Sequence, residues 1–138
     1  MLAPPLILAM QGSGRSDEAA ELRRRLSADL AQLEAEGDTY LRLPVSRAQL
    51  AALDGRPDVA AHWIDEAVAA GWKGQAPYRL AFGPDEDPVF ALVRGDARVK
   101  RAITRYRASV GNEGAALRRL RIGQQSRTTR QGGVEHRE

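Results

Sequence analysis

His62 stands three residues before Asp65 and four before Glu66. An imidazole beside a carboxylate can act as a general base when a nucleophile lies within reach. No candidate nucleophile lies near it, and the only other histidine is His136, in the tail. On a helix, positions three apart share a face only loosely. His62 therefore reads as a surface residue and Trp63 as a core packer. Zinc needs at least three protein ligands, and the chain has no cysteine. The run Asp85-Glu86-Asp87 lacks the alternating ligands of a calcium loop, and Asp87 is better explained as a helix cap. Gly12-Ser13-Gly14 is followed by Arg and Ser, not by the Gly-Lys-Ser/Thr of a phosphate loop. The expectation is a non-enzyme with no metal, no cofactor and no catalytic residue.

The remaining chemistry is arginine. Residues 1–93 hold 9 Lys/Arg against 14 Asp/Glu, a balance of −5, whereas residues 94–138 hold 12 against 4, a balance of +8. Arg118, Arg119, Arg121, Arg127 and Arg130 could contact phosphates, with an affinity that falls steeply with salt. That defines one functional class, an accessory nucleic-acid-binding protein. Against it, no aromatics are interleaved for base stacking, and no reading helix of a known motif is present. A solvating charged tail is the plainer reading of the same residues. Docking of this basic third onto the acidic residues 1–93 of a second copy is a further option.

The elements that would position these groups follow from hydrophobic spacing. Hydrophobic residues make up 43% of the chain and aromatics 5%, so the core must be largely Leu, Ala, Val and Ile. The apolar run Met1–Met10 has no positive flank and is about half the length needed to cross a bilayer. It is expected to be a helix of the fold over 2–12. Ser16 is expected to cap a second helix of roughly five turns, striped by Ala19, Leu22, Leu26, Leu30 and Leu33 and ended by Gly37. A third helix is expected from Pro44 to the Asp54-Gly55 turn. A fourth starts at Pro57, where a missing N–H costs nothing, and stops at Gly71. Residues 72–86 read as a loop and 88–93 as a brief helix capped by Asp87. Asp96 caps the next helix, striped by Val99, Ile103, Tyr106 and Val110. A last basic turn is expected at 115–122, weakly joined through Gly111 and Gly114, and 123–138 as disorder.

One phrase occurs twice. Gly14-Arg15-Ser16-Asp17-Glu18-Ala19 returns further along as Gly55-Arg56-Pro57-Asp58-Val59-Ala60. Each copy lies between a short apolar segment and a longer amphipathic one, the punctuation of a stacked helical array.

With that repeat laid out, the chain resembles tetratricopeptide repeats over about residues 1–110. Gly55, Ala60 and Ala67 stand at the family's turn glycine and two small positions of the second helix. Ile64 takes the large apolar position and Ala48 the small position of the first helix. In the earlier copy Leu6, Met10, Gly14 and Ala19 fit, while Arg23 stands where a large apolar residue is usual. The period is 41 rather than the family's 34, and Trp72 replaces the closing proline. The segment Asp87-Pro88-Val89-Phe90-Ala91-Leu92-Val93-Arg94-Gly95-Asp96-Ala97-Arg98 is similar to the ending of the tetratricopeptide part of many bacterial multidomain regulators. Those proteins carry a winged-helix, nucleotide cyclase or Ser/Thr kinase domain upstream.

The resemblance implies an all-α antiparallel helix-turn-helix array of about two repeats with a capping segment at 1–110, a basic extension at 111–122 and the tail at 123–138. It implies a non-catalytic protein-interaction module, a scaffold or regulatory sensor, as the detached C-terminal part of a regulator or free-standing. A cytoplasmic location is expected, or a periplasmic one within a membrane-anchored regulator. Arg42, Val45 and Gln49 are placed on the exposed side of the second repeat's first helix, which in the family lines the concave peptide-binding groove. Ordinary solvated surface is the alternative for these three. Because such arrays generally need three or more repeats, pairing with a protein partner or a second copy is expected, the latter through Leu2–Met10.

Overall fold

The computed structural model describes residues 3–37, 42–72 and 82–131, the side chains of 42 and 125–131 excepted. All regular structure among them is helical: α1 (Ala3–Gly12), α2 (Ser16–Ala35), α3 (Arg42–Leu53), α4 (Pro57–Ala69), a 3-10 segment (Pro88–Leu92) and α5 (Ala97–Gln131). The fold is all-α. It divides into two compact units, residues 1–106 and 107–138.

In the first unit α1 packs on α2 and α3 on α4, and α3 also packs on α1, α2 and the 3-10 segment. The two hairpin turns repeat bond for bond. In the first, Gly14 donates to Gln11 O, Arg15 to Met10 O and Ala19 to Arg15 O. In the second, Gly55 donates to Ala52 O, Arg56 to Ala51 O and Ala60 to Arg56 O. Each is a helix C-terminus closed by paired reverse bonds around a left-handed residue. Gly14 and Gly55 take φ of +78° and +64°, which side chains with a Cβ adopt only at a cost. Because the first helix's closing bonds end at Arg15, that residue also becomes the boundary of α2, and no side chain caps it. Ser16 is thus the first helical residue and not the cap.

The long period has a local cause. The starts of α2 and α4, at Ser16 and Pro57, are separated by the whole of that period. The closing bonds Gly37 to Glu34 O and Gly71 to Val68 O instead differ by 34. The difference lies entirely in α2, which is 20 residues long against 13 for α4. Such an excess is about two turns, so α2 outlasts α4 in length while the same residues along it keep facing one way. Ala48, Ala60, Ile64 and Ala67 are all fully buried, as their small or large character demands at helix crossings. Arg23, in place of an apolar residue, reaches the carboxylate of Asp54 at the end of α3.

The first unit closes on Trp72, whose ring lies 6.3 Å from Phe90 and 5.5 Å from Tyr106. Trp72, not Trp63, is the buried tryptophan; Trp63 is half-exposed, with the Arg47 guanidinium 5.9 Å from its ring. Gly83 sits against this cluster. A Cβ there would overlap the Tyr106 hydroxyl and come within 2.8 Å of its Cζ. Gly83→Ala is therefore expected to cost about 1–3 kcal/mol in urea unfolding through overpacking. Gly95→Ala, facing open space, should stay within about 0.5 kcal/mol of the parent. Equal effects at the two sites would contradict this packing.

In the second unit the helix continues through Gln131. Residues 123–131, expected to be disordered, are helical, and the basic segment is longer than the expected 115–122. No proline occurs after Pro88. Gly111, Gly114 and Gly123 each cost only about 1 kcal/mol relative to alanine, against many Ala, Leu, Arg and Gln that favour helix. Residues 132–138 lie outside the described residues.

Candidate interaction surfaces

Of the three groove residues read from the sequence, Val45 is 3% and Gln49 6% exposed. The side chain of Arg42 lies outside the described residues. The expectation that this side of α3 is open is corrected, and the reason is within the chain. The 3-10 segment packs against both α1 and α3, and it is pinned there by polar bonds. Gln49 donates from Nε2 to Asp87 Oδ2 at 2.8 Å, and Asp87 Oδ1 accepts the Val89 N–H at 3.0 Å. Arg94 donates to the carbonyls of Pro84 and Asp87. Asp87 caps the 3-10 segment as expected and also fastens it to α3, which spacing alone did not show. Asp96 likewise accepts the Arg98 N–H, at 2.8 Å, the capping role expected of it.

His62 is exposed, its ring steeply inclined to that of Trp63 with the ring centres 5.1 Å apart. Asp65 is committed elsewhere: it accepts both Arg105 Nε and a terminal guanidinium nitrogen, at 2.8 and 2.7 Å. This two-pronged pair joins α4 to the start of α5. Among the described residues no group of three His, Asp or Glu could hold a metal ion.

Beside an open groove of about 520 Å³ on α2 and the end of α3, lined by Ala28, Ala31 and Leu50 with Arg23, Arg24 and Asp54, two surfaces combine exposed apolar groups with charge. The first is an open groove of about 490 Å³ along α1 and α2, lined by Leu6, Met10 and Leu22 with Asp17, Glu18, Glu21 and Arg25. Leu6 is 44% exposed. The carboxyl of Glu21, accepting from Arg24 and Arg25, is held down to about 2. Glu18, bonded by Arg15, is also held below the ordinary range. The second surface is the helix of residues 107–131, which carries six arginines against one glutamate. Arg118, Arg119 and Arg121 are exposed on it, while Arg127 and Arg130 stand on the helix with side chains outside the described residues. Sequence reading missed that this helix also exposes large apolar groups: Leu117 is 62% and Leu120 66% exposed. Their spacing of three, one heptad on from Val110, was the available signal.

The chain is thus an all-α protein of paired helices with a basic helical extension. No family model, curated protein or solved structure matches it. No described helix is long and apolar enough to cross a membrane.

Proposed function

We propose that this chain is a protein-interaction module, a tetratricopeptide-like array of two helical hairpins that serves as a scaffold or regulatory sensor and performs no chemistry on its partner. The observation that carries the reading is the pair of hairpin turns, Gln11–Ala19 and Ala52–Ala60, repeated bond for bond. Stacked hairpins of this kind present extended helix surfaces to other proteins. The side of α3 that the resemblance would assign to peptide binding is covered by the 3-10 segment and Asp87. This supports placing binding at the α1–α2 groove and the basic helix, where exposed apolar groups and charge coincide. The exposed arginines of that helix keep nucleic acid as the second reading.

Panning the purified full chain against a displayed peptide library, with duplex DNA titrated in parallel, separates the two. The expected result is peptides of micromolar affinity, weakened at least tenfold by Leu117→Ser/Leu120→Ser or by Asp17→Arg/Glu18→Arg. Failure to enrich any peptide, with DNA binding that weakens steeply as salt rises, would overturn the interaction reading in favour of nucleic acid.

A further inference from the structure

The second unit presents an unusual combination: leucines nearly two-thirds exposed at helical spacing, interleaved with arginines. Val110, Leu117 and Leu120 form a narrow stripe, with Arg118 and Arg121 adjoining it, while Ile122, 64% exposed, stands on another face of the helix. A narrow stripe of this width is the seam a helix uses against a protein groove, whereas a face embedded in lipid is typically broader. Two such helices paired with each other would oppose six arginines to six, with one glutamate per copy to offset them. Like charges along a helical seam are destabilising. The stripe therefore calls for an apolar surface bordered by carboxylates.

The first unit carries such a surface. The α1–α2 groove offers Leu6, Met10 and Leu22 together with Asp17, Glu18 and Glu21, against Arg25 as its lining cation. The Glu18 and Glu21 carboxylates already accept from arginines on their own helix or at its start. Exposed pairs of that kind are weak because water screens them, so their carboxylates can exchange to an incoming guanidinium at little cost. Apolar lining meets apolar stripe, and the carboxylates of Asp17, Glu18 and Glu21, the last two exchanging from Arg15, Arg24 and Arg25, receive the guanidiniums of the helix.

Resting on the interaction reading above, we propose that the occupant of the α1–α2 groove is the 107–131 helix of a second copy of this chain. The contact is head to tail: each copy donates its basic helix and offers its acidic groove. Such a heterologous interface does not saturate at a symmetric pair and propagates with concentration unless a ring closes.

Sedimentation velocity on the full chain, from low micromolar to near-millimolar concentration, tests this. The wild type should show concentration-dependent association. Leu117→Ser/Leu120→Ser disables the helix and Asp17→Arg/Glu18→Arg disables the groove. Each alone should weaken association at least tenfold while far-UV circular dichroism stays close to the parent. Mixed one to one, the two variants retain one good groove and one good helix between them, and should form a dimer that grows no further. Arg118→Glu/Arg121→Glu, which keeps the leucines, should behave as the helix variant does. A wild type that stays monomeric, variants that associate as the wild type does, or a mixture that fails to pair would each overturn the proposal. A monomeric wild type that still selects peptides would leave the interaction reading standing and remove only the second copy as partner.

Discussion

Replacing Phe90 with alanine should remove about 3–5 kcal/mol of stability, the range for deleting a buried aromatic ring. Phe90 is fully buried, and its ring meets Trp72, which in turn meets Tyr106. Tilted ring pairs at these separations add about 0.5–1.5 kcal/mol beyond the area they bury. The short 3-10 segment has little intrinsic stability, since its hydrogen-bond geometry is poor and such runs are rarely long. Side-chain burial, with Val89 and Phe90 pointing inward, therefore joins the Gln49–Asp87 bond in keeping Pro88–Leu92 on α1 and α3. Domains of this size are stable by only about 5–15 kcal/mol in total. The loss should lower the midpoint of thermal unfolding by more than about 10 °C. Leu92, two residues on and 57% exposed, provides the control: Leu92→Ala should stay within about 0.5 kcal/mol. Equal losses at the two positions, or no loss at Phe90, would mean that this segment does not cover the helices as described.

That cover also explains what was legible in the sequence and what was not. Apolar periodicity and the positions of Gly14, Gly55 and Gly71 locate the helix ends closely, because reverse turns require particular backbone conformations that few residues adopt readily. The small residues at 48, 60 and 67 are readable for the same kind of reason, since close helix crossings tolerate little volume. The groove residues are misplaced because helical spacing says which residues share a face. It does not say whether another part of the chain lies over that face. Val45 and Gln49 share a face that the sequence marks as mixed polar and apolar, as a solvated groove would be. The 3-10 segment packed on α3, with the pairing of Gln49 to the sequence-distant Asp87, turns that face inward. Such a bond leaves no periodic trace. The helix beyond residue 122 escapes the sequence for the opposite reason. Its polar composition reads as disorder, although arginine, glutamine and alanine are good helix formers wherever no proline intervenes.

The bond between Gln49 and Asp87 makes the second large prediction. Asp87→Ala is expected to cost about 2–4 kcal/mol, because a buried donor left unpaired loses about 1–3 kcal/mol and two donors lose their acceptor at once. These are the Val89 N–H and the Gln49 amide. Neither can turn to water, since Gln49 and Val89 are both buried. Gln49→Leu removes the other half and strips the buried Asp87 carboxylate of a donor, so it should also destabilise. The informative measurement is the double-mutant cycle in urea. Two residues that touch should couple by about 0.5–3 kcal/mol, so Gln49→Leu/Asp87→Ala should cost less than the sum of its parts. Asp87→Asn gives the sharper contrast. Its amide oxygen can still accept from Val89, and Gln49 can turn its own oxygen toward the new NH₂, so most of the loss at Asp87→Ala should be recovered. If asparagine proves as damaging as alanine, the negative charge and not the hydrogen-bond pattern holds the segment to α3. If Asp87→Ala and Gln49→Leu are small and additive, the segment does not close the α3 face, and Val45 and Gln49 return as candidates for a peptide-binding groove.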